Sequence, residues 1–137
     1  MKICSACLLG VRCRYDGKSK LNTKVLQLSR REILIPVCPE QLGGLPTPRE
    51  FSEKKGERII TRSGKDVTAN CVRGAREVVR LARLFGVKEA ILKQMSPSCG
   101  NGKIYDGIFS FRVIDGDGVT TSLLKRFGIT VQSEDDL

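Results

Sequence analysis

The sequence of 137 residues contains no histidine. Histidine is the commonest general base in enzymes and the commonest nitrogen ligand of metals. Its absence leaves carboxylates, lysines, hydroxyls and thiols to transfer protons or to bind a metal. The sequence also lacks a second C-x-x-C pair beside the one formed by Cys4 and Cys7, so the four-ligand pattern of a zinc ribbon is incomplete.

Long hydrophobic runs are missing as well. The apolar stretches at 33–37 and 89–92 are far shorter than the roughly 20 residues that span a bilayer. The N-terminal segment MKICSACLLG is too short and too polar for a signal peptide. We therefore expect a cytoplasmic protein without a membrane segment. We also expect one domain over residues 1–137, because chains of about 100 to 200 residues usually form one hydrophobic core.

The sequence is rich in positive charge and in cysteine. Lysine and arginine number 24 against 15 acidic residues, which gives a formal net charge of +9. This balance favours anionic partners such as nucleotides, phosphates or RNA, and mere solvation of a basic surface is the alternative. Because the charge is spread along the chain, we expect nucleotide-sized anions to bind better than RNA. In a reducing compartment, the six cysteines indicate metal binding or thiol chemistry instead of disulfides.

Apolar periodicity predicts strands that alternate with helices. The predicted strands are 1–4, 32–38, 89–93 and 129–131, and the predicted helices are 21–31, 68–85 and 119–127. This order is typical of right-handed crossovers onto a parallel sheet. We therefore predict a small Rossmann-like or flavodoxin-like α/β fold, with a mostly parallel sheet and helices on both faces.

Caps and turn residues predict the remaining segments. Asn22 or Thr23 is expected to cap the first helix and Thr68 the second. Residues 41–50 are rich in glycine and proline and predict a loop, whereas 57–62 predicts a hairpin or an edge strand. The segment 105–117 is expected to be irregular, and the acidic tail 134–136 to be loose.

Three cysteines are expected to converge at one edge of the sheet. Cys7 follows the first strand, Cys38 closes the second, and Cys99 lies in the loop after the third. In an open parallel sheet the ligand site lies beyond the carboxyl ends of the strands. Three thiolates suit an iron–sulfur cluster, and in a 4Fe-4S cluster they leave one iron open to a substrate.

Two other functions stay open from the residues alone. A non-catalytic basic module could bind nucleic acid and use its cysteines for structural zinc, and a thiol oxidoreductase could use Cys4 and Cys7. Cys71 and Cys4 are also candidates for the core, since cysteine is among the most buried residue types. Cys13 has no assignment and is either a spare or an auxiliary thiol.

Four motifs carry a resemblance to a known family. They are SACLLG at 5–10, RYDG at 14–17, PVCPEQLGGLPTPR at 36–49 and KQMSPSCG at 93–100. Together they resemble a family first catalogued as a domain of unknown function and now associated with thiouracil desulfidases. The resemblance extends over nearly the whole chain and includes DGVT at 117–120.

The resemblance implies non-redox removal of sulfur from a thiolated pyrimidine, such as thiouracil or 4-thio-UMP, with release of sulfide. It implies that Cys7, Cys38 and Cys99 hold a 4Fe-4S cluster. It further implies that Glu40 and Ser96, in the C-P-E and S-P-S-C motifs, are catalytic. Glu40 would act as the general base for water, and Ser96 would relay or donate a proton.

Candidate substrate contacts lie in the loops around these motifs. Arg14 and Arg49 could supply positive charge to a 5′-phosphate, and Asp16 lies in the same turn as Arg14. Glycines at 43, 44, 100 and 102 would let backbone N–H groups approach an anion. Some relatives carry a second domain and act on thiolated tRNA. Because this sequence ends after the desulfidase-like part, we expect a free base or nucleotide as the substrate.

Overall fold

A central sheet with flanking helices is the main feature of the computed structural model, which describes residues 1–137. In chain order the elements are β1 (Lys2–Ser5), α1 (Thr23–Ser29), β2 (Leu34–Val37), α2 (Pro39–Leu42), β3 (Ser52–Lys55), β4 (Arg58–Thr61), α3 (Thr68–Leu84), β5 (Glu89–Leu92), β6 (Lys103–Tyr105), β7 (Val113–Asp115), α4 (Val119–Arg126) and β8 (Thr130–Ser133), with 3-10 helices at Ala6–Leu9 and Glu134–Asp136.

The central sheet has four strands in the order β2-β1-β5-β8, and every neighbouring pair is parallel. The chain therefore moves from β1 to one side and then returns to build β5 and β8 on the other side. This reversal, next to β1 and β5, is the switch point at which flavodoxin-like sheets bind their ligands. The α/β prediction is confirmed, and the candidate motifs follow the strands at this edge.

Helices cover both faces of the sheet, as predicted. On one face Val78 of α3 and Leu124 of α4 pack with Ile3 of β1. On the other face Val25 of α1 packs with Cys4 of β1. Successive residues of a strand point to opposite faces, so Ile3 and Cys4 belong to different halves of the core. Each fully buried aliphatic side chain stabilises the fold by about 1.5–3 kcal/mol.

Two glycines bring α2 into backbone contact with α3. A Cβ atom on Gly43 would lie 1.9 Å from the carbonyl oxygen of Asn70, and one on Gly74 would lie 1.7 Å from that of Pro39. The Asn70 side-chain amide also donates to the Gly43 carbonyl, at 2.9 Å. Positions 43 and 74 therefore require glycine, because no Cβ atom fits between α2 and α3 there. The close contact fixes α2, whose N-cap residue is Cys38.

Several local predictions were wrong. Part of the predicted loop 41–50 belongs to α2, which begins with a proline at its first position, a residue pre-organised for helix starts. The segment predicted to be irregular contains β7, which pairs with β6 in an antiparallel hairpin. Thr68 does not cap α3, because its hydroxyl instead accepts a hydrogen bond from the Ile59 N–H at 2.8 Å.

Other local predictions were confirmed. Asn22 caps α1, since its side-chain oxygen accepts hydrogen bonds from the backbone N–H groups of Lys24 and Val25. The segment 57–62, predicted as a hairpin or an edge strand, contains β4, which forms an antiparallel hairpin with β3; β3 itself lies before the predicted segment. The acidic tail, by contrast, is ordered: it forms a 3-10 helix whose start is a capping box between Ser133 and Asp136. None of the helices has the length and apolar character that crossing a membrane requires.

Candidate active site

A cavity of about 340 Å³ lies beyond the carboxyl ends of β1, β2 and β5. Two groups of side chains face each other in its lining. We call the first group the cysteine wall; it consists of Cys7, Cys13, Cys38, Glu40, Ser96 and Cys99. We call the second the aromatic wall; it consists of Tyr15, Phe51, Tyr105 and Phe111. The cavity thus combines soft sulfur donors and proton-transfer groups with flat apolar surfaces.

The three cysteines expected to converge do line this one cavity. Cys7 lies in the 3-10 helix after β1, Cys38 lies between β2 and α2, and Cys99 lies in the turn after β5. Cys13 joins them as a fourth thiol, one that had no assignment from the sequence. All four are free thiols, and only Cys38 is more than one-tenth exposed. The sheet edge therefore gathers thiols from positions far apart in the chain.

The remaining two cysteines lie outside the cavity. Cys4 and Cys71 are fully buried in separate parts of the core, as expected for structural cysteines. Burial raises the pKa of each of these thiols to about 12. Because the thiolate is the nucleophilic form, a buried Cys4 is a poor partner for a redox pair with Cys7.

Burial and contacts between neighbouring thiols favour the neutral form of three cysteines of the cysteine wall, Cys13, Cys38 and Cys99. A hydrogen bond with the Cys13 thiol, followed by burial, raises the pKa of Cys38. Burial raises the pKa of Cys99. For Cys13, the hydrogen bond with Cys38 lowers the pKa, but the hydrogen bond with Cys7 and burial outweigh it and bring the value to about 11. A bound metal would reverse this balance, since a coordinated thiol is deprotonated.

The donor set fits a polynuclear cluster better than one ion. No three cysteine, aspartate or glutamate side chains lie close enough together to hold a single metal ion. The thiols instead surround a cavity, and a cluster of several irons spreads its thiolate ligands over a wider span than one ion does.

Glu40 and Arg49 form a buried ion pair beside the thiols. The Arg49 Nε donates to the Glu40 Oε1 at 3.2 Å, and the Arg49 and Glu40 side chains are 6% and 16% exposed, respectively. The terminal nitrogens of Arg49 donate to the oxygens of Pro46 and Thr47, to the Cys13 carbonyl oxygen at 2.9 Å and to the Cys38 Sγ at 3.9 Å. A guanidinium has five N–H donors, and all of them are used within the protein.

The contacts within the protein decide which of the predicted substrate-binding residues are available to a substrate. Direct phosphate binding by Arg49 would require one of its protein contacts to break. Arg14 also lines the cavity, whereas Asp16 does not. Asp16 instead accepts a hydrogen bond from the Arg14 Nε at 3.4 Å and another from the Lys18 N–H at 2.9 Å. Burial opposes ionisation of Asp16, but these two hydrogen bonds outweigh it and lower the pKa of the carboxyl.

The hydroxyl of Ser96 is oriented by two backbone groups. Its oxygen accepts hydrogen bonds from the N–H groups of Ser98 and Cys99, both at 3.1 Å. A serine oxygen has two acceptor lone pairs, and both are occupied here. Its own O–H is therefore left as a donor. The preceding residue, Met95, has a φ of 69°, a left-handed conformation that is uncommon for a side chain of this size.

A carboxylate from the C-terminal 3-10 helix holds the loop that carries Ser96. Glu134, whose side chain is 9% exposed, accepts a hydrogen bond from the Gln94 N–H at 2.6 Å and pairs with the Lys93 Nζ at 3.1 Å. Glu134 was not predicted from the sequence, because the acidic tail was expected to be loose. The spacing of Ser133 and Asp136, which is that of a capping box, was the signal available.

The aromatic wall was not predicted from the sequence either. Phe51 lies at its centre, with ring centroids 5.1 Å from Tyr15, 5.9 Å from Tyr105 and 5.9 Å from Phe111. Phe109 packs against Phe51 at 6.1 Å without lining the cavity. The spacing of Tyr105, Phe109 and Phe111 in a sequence with only 5% aromatic residues was the one local signal.

Comparisons with known proteins agree with this geometry. A family model described as 2-thiouracil desulfurase matches residues 3–136. The chain belongs to the 2-thiouracil desulfurase family. Within it, the Bacillus subtilis (strain 168) protein YbbK, described as uncharacterized, is 41% identical over 147 residues, which cover 100% of this chain and 97% of YbbK.

A solved structure gives a second comparison. The 4Fe-4S-dependent thiouracil desulfidase TudS is 48% identical to this chain. The match has a TM-score of 0.94 and covers 99% of this chain and 91% of that chain. Membership in the 2-thiouracil desulfurase family confirms the resemblance that the four motifs carried, and the likeness to TudS confirms the α/β fold.

Proposed function

We propose that this protein is a 4Fe-4S-dependent desulfidase that hydrolyses the thiocarbonyl group of thiouracil or a related thiolated pyrimidine. Water replaces the sulfur, so that thiouracil and water give uracil and hydrogen sulfide, without net electron transfer. The observation that carries this proposal is the cysteine wall, in which free thiols, a carboxylate and a serine hydroxyl line one cavity. Family membership and the likeness to TudS support it.

Cys7, Cys38 and Cys99 would hold the cluster, one from each loop that follows β1, β2 and β5. When bound through three protein thiolates, the cluster supplies an iron with an open position, a Lewis acid suited to a soft thiocarbonyl sulfur. Cys13 is close enough to the Cys7 and Cys38 thiols for them to affect its pKa. We assign Cys13 no ligand role.

Glu40 is suited to take a proton from the attacking water. Its Oε1 accepts from Arg49, and its Oε2 has no hydrogen bond within the protein. Because Glu40 lines the cavity, its second oxygen is available to a water molecule there. The buried guanidinium of Arg49 holds the carboxylate in place, so we propose that Arg49 is a positioning residue instead of a phosphate ligand.

Ser96 is suited to donate a proton. Both of its lone pairs accept backbone hydrogen bonds, so the hydroxyl can offer only its own proton to a group in the cavity. A nitrogen or oxygen of the pyrimidine ring is the natural acceptor as the thiocarbonyl carbon becomes a carbonyl. This division of tasks gives Glu40 the role of base and Ser96 the role of donor.

The substrate is a free base or nucleotide in this proposal, and RNA binds more weakly. Arg14, held by Asp16, lines the cavity and provides the cation that a 5′-phosphate such as that of 4-thio-UMP would meet. We further propose that residues 1–137 act as one domain and that the protein works in the cytoplasm, where such small substrates occur.

The proposal is tested by anaerobic reconstitution with iron and sulfide, followed by assay of sulfide release from 2-thiouracil and 4-thio-UMP. We expect a brown protein with about four irons per chain that releases sulfide, while the protein without iron does not. A Cys71→Ala variant is the control, because this buried thiol lies outside the cavity. A colourless protein that retains one zinc and releases no sulfide would favour the nucleic-acid-binding alternative.

A further inference from the structure

The aromatic wall has no role in the proton transfers proposed above. The sequence contains five phenylalanines, two tyrosines and no tryptophan. Five of these rings form one cluster, and all of them except Phe109 line the cavity; they are Tyr15, Phe51, Tyr105, Phe109 and Phe111. A chain poor in aromatic residues therefore concentrates them beside the site.

Phe111 is the exposed member of this group. Its side chain lines the cavity, yet the residue is 56% exposed. Its ring lies nearly parallel to that of Phe51, with an interplanar angle of 25°. Phe51 already covers one side of the Phe111 ring. Tyr105 meets the same ring edge-on, with the two centroids 5.8 Å apart. The part of Phe111 that stays exposed leaves surface beside the cavity on which a second flat ring could stack.

The backbone that carries Phe111 is held in a conformation that such residues rarely adopt. Phe109 and Phe111 have φ values of 59° and 60°, in the left-handed region. Glu53, which is 1% exposed, accepts hydrogen bonds through its Oε1 from the N–H groups of Gly107 and Phe109, both at 3.0 Å. A buried carboxylate thus fixes the segment that presents the exposed ring.

Close packing adds to this constraint. A Cβ atom on Gly107 would lie 2.7 Å from the Cβ of Lys55, so the segment rests directly on β3. An aromatic residue that served the core alone would gain more from a buried position than from a strained and exposed one. The strained backbone, its buried support and the exposed ring all indicate a binding surface.

We propose that the aromatic wall is the subsite that binds the planar ring of the substrate, with Phe111 as the face on which a pyrimidine stacks and Glu53 as its positioning residue. Bases stack on aromatic side chains regardless of their hydrogen-bonding pattern. The aromatic wall and the cysteine wall line the same cavity, so a ring held by one presents its thiocarbonyl group to the other. The identity of the substrate rests on the proposed function.

This subsite gives the site a specificity that the cysteine wall alone lacks. Thiourea carries a thiocarbonyl group without an aromatic ring, and thiouracil carries the same group on one. Because the ring of thiouracil offers Phe111 a larger flat face than thiourea does, the aromatic wall favours ring thiocarbonyls over open-chain ones. Loss of Phe111 should therefore weaken the reaction with thiouracil and leave that with thiourea unchanged.

The first test measures binding without the reaction. Equilibrium dialysis of labelled uracil, the product, against cluster-free protein should show about 10-fold weaker binding for Phe111→Leu and Phe111→Ala, the usual effect of losing one base-stacking ring. Phe111→Tyr, which keeps an aromatic face, should bind as the wild type does. Phe85→Ala is the matched control, because Phe85 is 51% exposed and lies at the end of α3. Uracil binding by Phe111→Leu at wild-type affinity would overturn the subsite.

The second test measures turnover with the reconstituted protein. We expect Phe111→Leu to raise the KM for thiouracil about 10-fold with little change in kcat, unchanged iron content and unchanged turnover of thiourea. An equal loss with both substrates would overturn the subsite, because thiourea has no ring to stack. If the wild type binds uracil through Phe111 but releases no sulfide from thiouracil, the subsite stands and the proposed function fails.

Discussion

The two walls of the cavity are built in different ways. The cysteine wall lies on loops at the carboxyl ends of the sheet strands, and charged groups such as Arg49 and Glu134 connect these loops. The aromatic wall depends on hairpin residues and on the segment 106–112, where Phe111 remains exposed. The parallel sheet thus fixes the reacting groups, and smaller attached elements supply the surface that selects the substrate. Substitutions in the cysteine wall should affect the cofactor and kcat, and those in the aromatic wall should affect KM.

The largest effect is expected for Cys38→Ser. A serine hydroxyl is a hard donor and a poor ligand for iron, so this variant should lose iron, colour and all measurable sulfide release. Iron content and visible absorption after anaerobic reconstitution measure this outcome, with Cys71→Ala as the control. A brown Cys38→Ser protein with the iron content of the wild type would remove Cys38 from the ligand set.

Glu40→Gln should separate catalysis from cofactor binding within the cysteine wall. The variant should keep the iron and the visible spectrum of the wild type while kcat falls by about 10²-fold or more, the usual effect of losing a general base. Since the chain has no histidine to replace the carboxylate, the residual rate should rise with pH as hydroxide takes over. Turnover close to that of the wild type at neutral pH would exclude Glu40 as the base.

A smaller effect is expected for Arg49→Lys. Lysine keeps the positive charge but cannot make the five directed contacts of the guanidinium. Groups that orient ligands and catalytic residues usually contribute about 10-fold to 100-fold, and the retained charge favours the lower figure for kcat. Partial recovery of kcat in Arg49→Ala on addition of guanidinium ions would identify positioning as the role. If Arg49→Lys weakens only the binding of the thiolated nucleotide and leaves that of the free base unchanged, Arg49 is a phosphate ligand instead.

The smallest effect is expected for Glu53→Gln, behind the aromatic wall. Glutamine keeps one acceptor oxygen but loses the charge that strengthens the hydrogen bonds from Gly107 and Phe109. We expect a rise of about 3-fold in the KM for thiouracil, with iron content and kcat unchanged. A loss of iron in this variant would show that the two walls depend on each other.

Local sequence patterns were enough to predict the sheet and the long helix α3. Their apolar positions repeat at the periods of strands and helices, and parallel strands end at one edge, so the convergence of Cys7, Cys38 and Cys99 could also be expected. The contacts of Arg49 could not be predicted from the sequence, because they join loops that only the folded chain brings together. Glu134 and Gln94 are likewise 40 residues apart. No feature of the neighbouring sequence indicates that two such distant residues will form a contact.

Separation along the sequence also explains why the sequence analysis did not predict the aromatic wall. Tyr15, Phe51 and Phe111 come from three separate parts of the chain, and in the sequence nothing distinguishes any one of them from an aromatic residue of the core. Their shared place depends on how two hairpins pack beside the sheet. The short helix α2, by contrast, had a local signal in Pro39, which the glycines and prolines that follow it obscured.

The contacts of the Arg49 guanidinium also affect the protein in the absence of its cluster. It links the backbone at residues 13 and 46 with the side chains of Cys38 and Glu40, and all of these links form within the protein itself. The Cys38 thiol and the Cys13 backbone are therefore held by contacts that do not require iron. A preorganised apoprotein loses little conformational entropy when it is reloaded. We therefore expect a protein that has lost its cluster to take up iron and sulfide again without unfolding of the chain.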